Sequence, residues 1–380
     1  MLGEQWAKEG LKEVAWPCLN VTDGSDGKPC TDTYGSSPYL TAEMGVEMVK
    51  GLQNKNQLKA FPVIDGKERQ ATYVRPYERV MAEAKAAGIA TQAQRKQMFV
   101  PGTRQPVSDE FKKTALQVAR ESMVLLKNSG RLLPVDTAWV KRVAVCGNPL
   151  LVADMMPTLE EALPVVTLSI AANVEEAAQA DLILVFEDDA IDPHWIQALQ
   201  LTGRPVTLVL CNSRPVDLGE AVQCAAVLQA WQPGQQGIQA VADVLCGNYT
   251  PGGKLTLPMP QFPLGHGLSY STFCYSNLRV TPSGEDFVVT FDVKNVGIRA
   301  GGEVVQVYLH DGSECTLEAC KRTQINPGQT KSMKFTIRER NLLHLNKQGQ
   351  WMVKPGRYTL FVGGGSDDLR LETSFNVAAR

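Results

Sequence analysis

Apolar and polar residues change their spacing twice along the 380-residue chain. In the first stretch the spacing is helical over residues 39–52, with Pro38 ahead of it and Gly51 near its end, and again over 74–87, where Gly88 stops it. The text between the two is poorly patterned, and residues 22–29, Thr-Asp-Gly-Ser-Asp-Gly-Lys-Pro, read as loop. Near Ser108 the pattern changes. Ser108 or Asp109 is placed to cap a helix predicted to run through Ala115, Val118, Ala119, Ser122, Val124 and Leu125. Short, continuous apolar runs follow at 143–146, 164–168, 181–186, 206–211 and 225–231, with helical spacing at 175–180 and at 236–245 before Gly247. Uninterrupted apolar strands alternating with helices predict a mostly parallel sheet covered on both faces, with 143–146, 182–186 and 206–210 as neighbouring strands.

After Pro260 the period drops to two. Residues 287–293, 304–309, 333–337 and 357–362 alternate, separated by turn signals such as Asn326-Pro327-Gly328 and Lys354-Pro355-Gly356. That pattern predicts an antiparallel β-sandwich starting near Phe273. The expected division is 1–112, 113–262 and 263–380, and the chain carries no internal repeat.

Composition narrows the function classes. With 44% hydrophobic and 21% charged residues the chain can build a packed core, and a formal net charge of -2 supplies no general attraction for nucleic acid or an anionic membrane. No apolar run approaches the ~20 residues that span a bilayer. The opening Met1-Leu2-Gly3-Glu4-Gln5-Trp6 lacks an apolar signal core, so no secretory signal is expected and a cytoplasmic location is favoured. The nine cysteines contain no Cys-x-x-Cys, against zinc ribbons and thioredoxin chemistry, and Cys146 and Cys211 sit in apolar runs as expected buried thiols. His194, His266, His310 and His344 are scattered with no His-x-x-x-His pair, so neither a metal site nor a cofactor is expected. Gly247 to Lys254 has one residue too many for a phosphate loop, and Ser269 does not stand in a Gly-x-Ser-x-Gly elbow.

Four stretches in order point to a family. They are Ala119-Arg120-Glu121-Ser122-Met123-Val124-Leu125-Leu126-Lys127-Asn128 with Leu132-Leu133-Pro134; Leu228-Gln229-Ala230-Trp231-Gln232-Pro233-Gly234 leading to Pro251-Gly252-Gly253-Lys254-Leu255; Gly265-His266-Gly267-Leu268-Ser269-Tyr270; and Val293-Lys294-Asn295-Val296-Gly297. Together they resemble the C-terminal α/β domain, linker and fibronectin type III-like sandwich of glycoside hydrolase family 3. Tyr34-Gly35-Ser36-Ser37-Pro38-Tyr39-Leu40 and Arg75-Pro76-Tyr77-Glu78 resemble pieces of that family's catalytic barrel. A complete eight-fold barrel needs about 200 residues or more, so the N-terminal segment is expected to be an incomplete β/α-barrel remnant.

The resemblance implies hydrolysis of O-glycosyl bonds of the β-glucosidase type, on a β-linked glucoside or oligosaccharide, with homo-oligomers left open. Retaining hydrolysis needs two carboxyl groups flanking the scissile bond. The family places its acid/base glutamate in a loop after the strand that here ends at Phe186, which makes Glu187 the acid/base candidate; carboxylates at the ends of parallel strands also face the usual ligand crevice. A solvated acidic turn is the plainer reading of Glu187-Asp188-Asp189. The nucleophile is unknown, because the family's Ser-Asp-Trp or Ser-Asp-Tyr tripeptide and its Lys-His pair do not occur. Ser108-Asp109 reads as a helix cap and Ser25-Asp26 as loop. The competing reading is a non-catalytic carbohydrate-associated or assembly module derived from such an enzyme.

Overall fold

The computed structural model describes residues 13–14, 37–52, 59–60, 109–212, 215–232, 234–313, 315–345 and 351–378. The chain divides into two compact units. One comprises residues 1–115 with 213–215 and 256–258; the other comprises 116–212, 216–255 and 259–380. In the first, β1 (Glu13–Val14) pairs in parallel with β2 (Lys59–Ala60), and α1 (Pro38–Leu52) forms where the helical spacing predicts it. Ala42, Val46, Val49 and Leu52 make its buried stripe. The helix expected at 74–87 and the loop at 22–29 lie outside the described residues, as does most of the segment read as a barrel remnant.

α2 (Asp109–Ser122) ends earlier than its spacing suggests. Val124–Asn128 is a strand, β3, not the last turn of the helix. The reason is two-sided burial. Val124 and Leu126 pack into one apolar cluster and Leu125 into another, all three fully buried. Consecutive residues reach opposite faces only in extended chain.

β4 (Arg142–Gly147), α3 (Pro149–Ala162), β5 (Thr167–Ile170), α4 (Val174–Ala177), β6 (Leu182–Glu187), α5 (Pro193–Gln200), β7 (Val206–Leu210), β8 (Ala226–Gln229) and α6 (Gly234–Cys246) follow. Six strands form one sheet in the order β3-β8-β7-β6-β4-β5. Only the β3–β8 pairing is antiparallel. The expected neighbours β4, β6 and β7 are adjacent, in register Val143↔Leu182 and Ile183↔Val206. Two runs are shorter than their apolar text. Strand β5 starts only at Thr167, after a turn, and it forms the exposed sheet edge; β8 stops at Gln229. Strand alternation sorts the core. Leu182, Leu184 and Phe186 join Val143, Val145 and Val209 on one face, while Ile183 and Val185 join Ala144, Cys146 and Leu208 on the other.

The same unit continues into two antiparallel sheets. β9 (Phe273–Ser283), β10 (Asp286–Asn295) and β13 (Thr330–Ile337) are ordered β13-β10-β9; β11 (Gly301–His310), β12 (Cys315–Ile325), β16 (Gly356–Gly365) and β17 (Asp368–Val377) are ordered β12-β11-β16-β17. β14 (Leu343–Leu345) and β15 (Trp351–Val353) form a separate pair. All four alternating runs are strands here, and their inward residues, Val289, Phe291, Val305, Val307, Leu360 and Val362, are buried. Among the described residues no helix is long and apolar enough to cross a membrane.

Candidate functional site at the strand ends

Numbered along the chain, the five parallel strands lie in the spatial order second, first, third, fourth, fifth. In a doubly wound sheet of this order the ligand crevice opens beyond the carboxyl ends where the winding reverses, here between β4 and β6. Gly147 and Asn148 leave β4 at that point; Glu187 and Asp188 leave β6.

Glu187 is paired in register with Leu210, and its carbonyl oxygen accepts the Cys211 N–H at 2.7 Å. The residue is only 7% exposed, so Glu187 itself is not part of a solvated acidic turn, whereas Asp188 is half-buried and Asp189 exposed. Among the described residues no group hydrogen-bonds its carboxyl. Burial, then the negative charges of Asp188 and Asp192, push its pKa up to about 7. Cys146 and Cys211 are buried thiols, as their apolar contexts predict. Each is pushed up to about 12, by burial first and then by Glu187 and Asp188 respectively.

The flanking corners are tied down. Gly147 has φ +109°, and a Cβ there would overlap the Phe186 carbonyl oxygen, so only glycine allows the turn. Asn148 then donates its backbone N–H to that oxygen at 2.7 Å. Its Oδ1 accepts the N–H groups of Leu150 (3.0 Å) and Leu151 (3.4 Å), capping α3, and its Nδ2 donates to Asp188 Oδ2 at 2.8 Å. Asp192 caps α5 by accepting from His194 N–H (3.0 Å) and Trp195 N–H (3.2 Å). Farther along the sheet end, Gln229 Nε2 donates to Asn212 Oδ1; both side chains are buried, and Asn212 Nδ2 and Gln229 Oε1 have no partner among the described residues. Trp231, past the end of β8, takes φ +58° and donates its indole N–H to the Ser122 carbonyl at 3.1 Å.

The structure thus brings the charges of Asp188 and Asp192 to Glu187, with Asn148 bonded to Asp188. Asn148 goes unnoticed in the sequence, although Gly147-Asn148-Pro149 after an apolar run is a helix-start signal. Asp109 sits in the first turn of α2, 3.4 Å from Lys112, as a helix-start residue; Ser108, Ser25 and Asp26 lie outside the described residues. His266, in the linker, bonds through Nδ1 to Asp367 Oδ2 (2.7 Å) and through Nε2 to the Leu126 carbonyl (2.9 Å), a structural post.

A doubly wound α/β domain continued by a fibronectin type III-like sandwich, with a carboxyl group buried at the strand ends, defines the class of molecule. Residues 123–294 match the glycosyl hydrolase family 3 C-terminal domain and residues 303–366 the fibronectin type III-like domain. The middle of the chain is thus a C-terminal domain of the glycosyl hydrolase family 3 kind, followed by a fibronectin type III-like domain. Among curated relatives, a beta-xylosidase of Formosa agariphila is 27% identical over 366 residues, 69% of this chain and 50% of that protein. A periplasmic beta-glucosidase of Salmonella typhimurium is 31% identical over 217 residues, 44% and 28% of the two chains. The chain spans half or less of the length of these relatives. The beta-D-glucoside glucohydrolase of Trichoderma reesei superposes with a TM-score of 0.82 at 17% identity, covering 99% of this chain and 87% of that one. A mutant beta-glucosidase of Listeria innocua, solved in complex with laminaribiose, gives 0.81 at 17% identity, covering 99% and 83%. At that identity the likeness is one of fold.

Proposed function

We propose that this chain supplies the acid/base half of a retaining β-glycosidase site, with Glu187 as the proton donor and acceptor. The observation that carries the reading is a buried carboxyl, held near pH 7 without a hydrogen-bond partner among the described residues, at the switch point of the sheet. A general acid works best when its pKa lies near the operating pH. Protonated Glu187 gives its proton to the glycosidic oxygen as the leaving alcohol departs; ionised, it then takes a proton from the water that attacks the anomeric carbon. The substrate class is a β-linked glucoside, xyloside or oligosaccharide, the kinds of sugar named for the relatives. The division 1–112, 113–262 and 263–380 belongs to this proposal, with the site built on the middle part.

Retention also needs a nucleophilic carboxylate about 5–5.5 Å from the acid/base group, and no residue of this sequence stands in a recognised nucleophile motif. Acid catalysis alone contributes only about 10²–10⁴-fold. The chain by itself is therefore expected to show no measurable turnover of a chromogenic β-glucoside or β-xyloside, with Glu187→Gln leaving the background unchanged. The absent tripeptide favours the second reading, a carbohydrate-associated module without turnover. Hydrolysis with retention that Glu187→Gln abolishes would establish a full enzyme with another aspartate as nucleophile. Glycoside binding without turnover, measured by calorimetry and weakened in Glu187→Gln, is the result expected here; neither binding nor turnover would remove the glycoside reading.

A further inference from the structure

A helix cap needs an acceptor, and serine, threonine, aspartate and asparagine all provide one. Asn148 does more than that requirement. Its carbonyl oxygen caps α3 while its amide crosses the crevice to Asp188 at 2.8 Å. Serine has no second arm for that reach, and aspartate would set two carboxylates against each other. Only a side chain with an acceptor and a donor at one end can hold both partners.

We propose that Asn148 is a positioning residue of the Glu187 site: it locks Asp188, and with it the loop after β6, in the place from which Asp188 acts on Glu187. The inference rests on the reading of Glu187 as the acid/base group. Both oxygens of Asp188 are engaged, Oδ2 by Asn148 and Oδ1 by the Ala190 N–H at 2.9 Å, so its charge is fixed in space. Glu187 has no donor of its own among the described residues, so its protonation is set by burial and by the charges around it. Those are Asp188 and Asp192 from its own loop. The titratable neighbours from the flanking strands, Cys146 on β4 and Cys211 after β7, are thiols that stay neutral at pH 7. Asp192 is committed to the α5 cap. Asp188 is the charge whose position the opposite corner of the crevice controls, through a turn that Gly147 makes possible.

The test uses the full chain labelled at the glutamate carboxyl carbons, with Glu187→Gln assigning the resonance. In the wild type the Glu187 signal is expected to titrate near neutral pH. Asn148→Ser keeps the cap and loses the amide; it should leave the melting temperature in place and lower the Glu187 midpoint by about one pH unit, the scale on which neighbouring charges act. Asp188→Asn should lower it at least as far, and if Asn148→Ser is poorly folded, Asn148→Thr, which also keeps an acceptor and loses the amide, carries the test with the same expected fall. A midpoint that falls in Asp188→Asn but stays put in well-folded Asn148→Ser would overturn the positioning role. One that moves in neither would overturn the electrostatic link as well. A wild-type Glu187 that titrates in the ordinary carboxylate range would instead overturn the acid/base reading, and the proposal with it.

Discussion

At the scale of single residues, Glu187 couples its environment to stability in a way that can be measured. Its ordinary value is 4.5 and its folded value about 7. The folded state therefore keeps the proton longer than the unfolded chain, and this group's contribution to stability declines as pH rises from about 4.5 through about 7. In Glu187→Gln that slope should vanish. Between pH 4.5 and 8 the variant is expected to gain roughly 1–2 kcal/mol on the wild type, read from urea midpoints, because solvent in the crevice offsets part of the desolvation. Equal slopes would show that the carboxyl is not desolvated. Asn295 carries a different load. It is fully buried, its Nδ2 donates to the carbonyls of Arg299 (2.8 Å) and Ile325 (2.9 Å), and its Oδ1 accepts from Gly297 N–H (2.9 Å) and Ser271 Oγ (2.7 Å). Asn295→Ala strands the Gly297 N–H and the Ile325 carbonyl, while Ser271 Oγ and the Arg299 carbonyl keep their own bond at 2.9 Å; it should cost about 2–3 kcal/mol, with Asn295→Asp no better. That Glu187 ends a buried strand was legible in the sequence, because it closes an apolar run. Asn148, Asn212 and Gln229 were not, because their meaning lies in partners 40 and 17 residues away that only the folded sheet brings together.

Among the elements, the strands of the sheet were read more reliably than their ends. β4, β6 and β7 are continuous apolar runs, and burial on both faces leaves such text little choice. Reading failed where one stretch fits two periods. The helical spacing of α2 runs on into Val124 and Leu125, and only the antiparallel partner β8 makes them a strand. At β5 the apolar text of Val165 and Val166 belongs to a turn, since an edge strand has one neighbour and imposes less pattern. The β4–α3 junction shows how narrow the geometric tolerance is. Gly147→Ala would force a Cβ into the Phe186 carbonyl and a side chain into φ +109°. A loss of about 2–4 kcal/mol is expected, together with faster amide exchange at Asn148 and in the first turn of α3. Unchanged exchange there would mean that the strand ends relax without loss, and the crevice corner is softer than its contacts indicate.

Across the whole larger unit, the α/β sheet and the sandwich share a junction made mostly of polar groups. The family resemblance located the linker by its Gly-His-Gly motif; what the motif does became visible only with its partners. Lys254 Nζ donates to the Gly267 carbonyl at 2.6 Å, Ser366 Oγ to that of Leu264 at 2.6 Å, and Tyr270 O–H to that of Val244 at 2.9 Å. Arg322 on β12 reaches Glu121 at 3.2 Å and the Tyr249 hydroxyl at 2.9 Å. Domains joined by small polar contacts move independently by default; a junction with this many hydrogen bonds across it should not, even though Arg322 Nε is buried without a partner among the described residues. Gln306 is buried beside this junction. Its Nε2 donates to the carbonyls of Gly265 (3.0 Å) and Gly364 (2.6 Å), and its Oε1 accepts from Tyr308 O–H at 2.6 Å. In the wild type, native-state hydrogen exchange should give the slowest amides of β6 and β7 and those of β10 and β11 one common opening free energy, since they belong to one cooperative unit. Gln306→Ala leaves the Gly265 and Gly364 carbonyls without this donor and the Tyr308 hydroxyl with Ser366 alone, and should remove about 2–3 kcal/mol. The loss should also fall unequally, so that the sandwich amides open at lower cost than those of the sheet. If both sets drop together and remain equal, the coupling runs through the remaining junction contacts, and His266 with Asp367 becomes the pair to cut next.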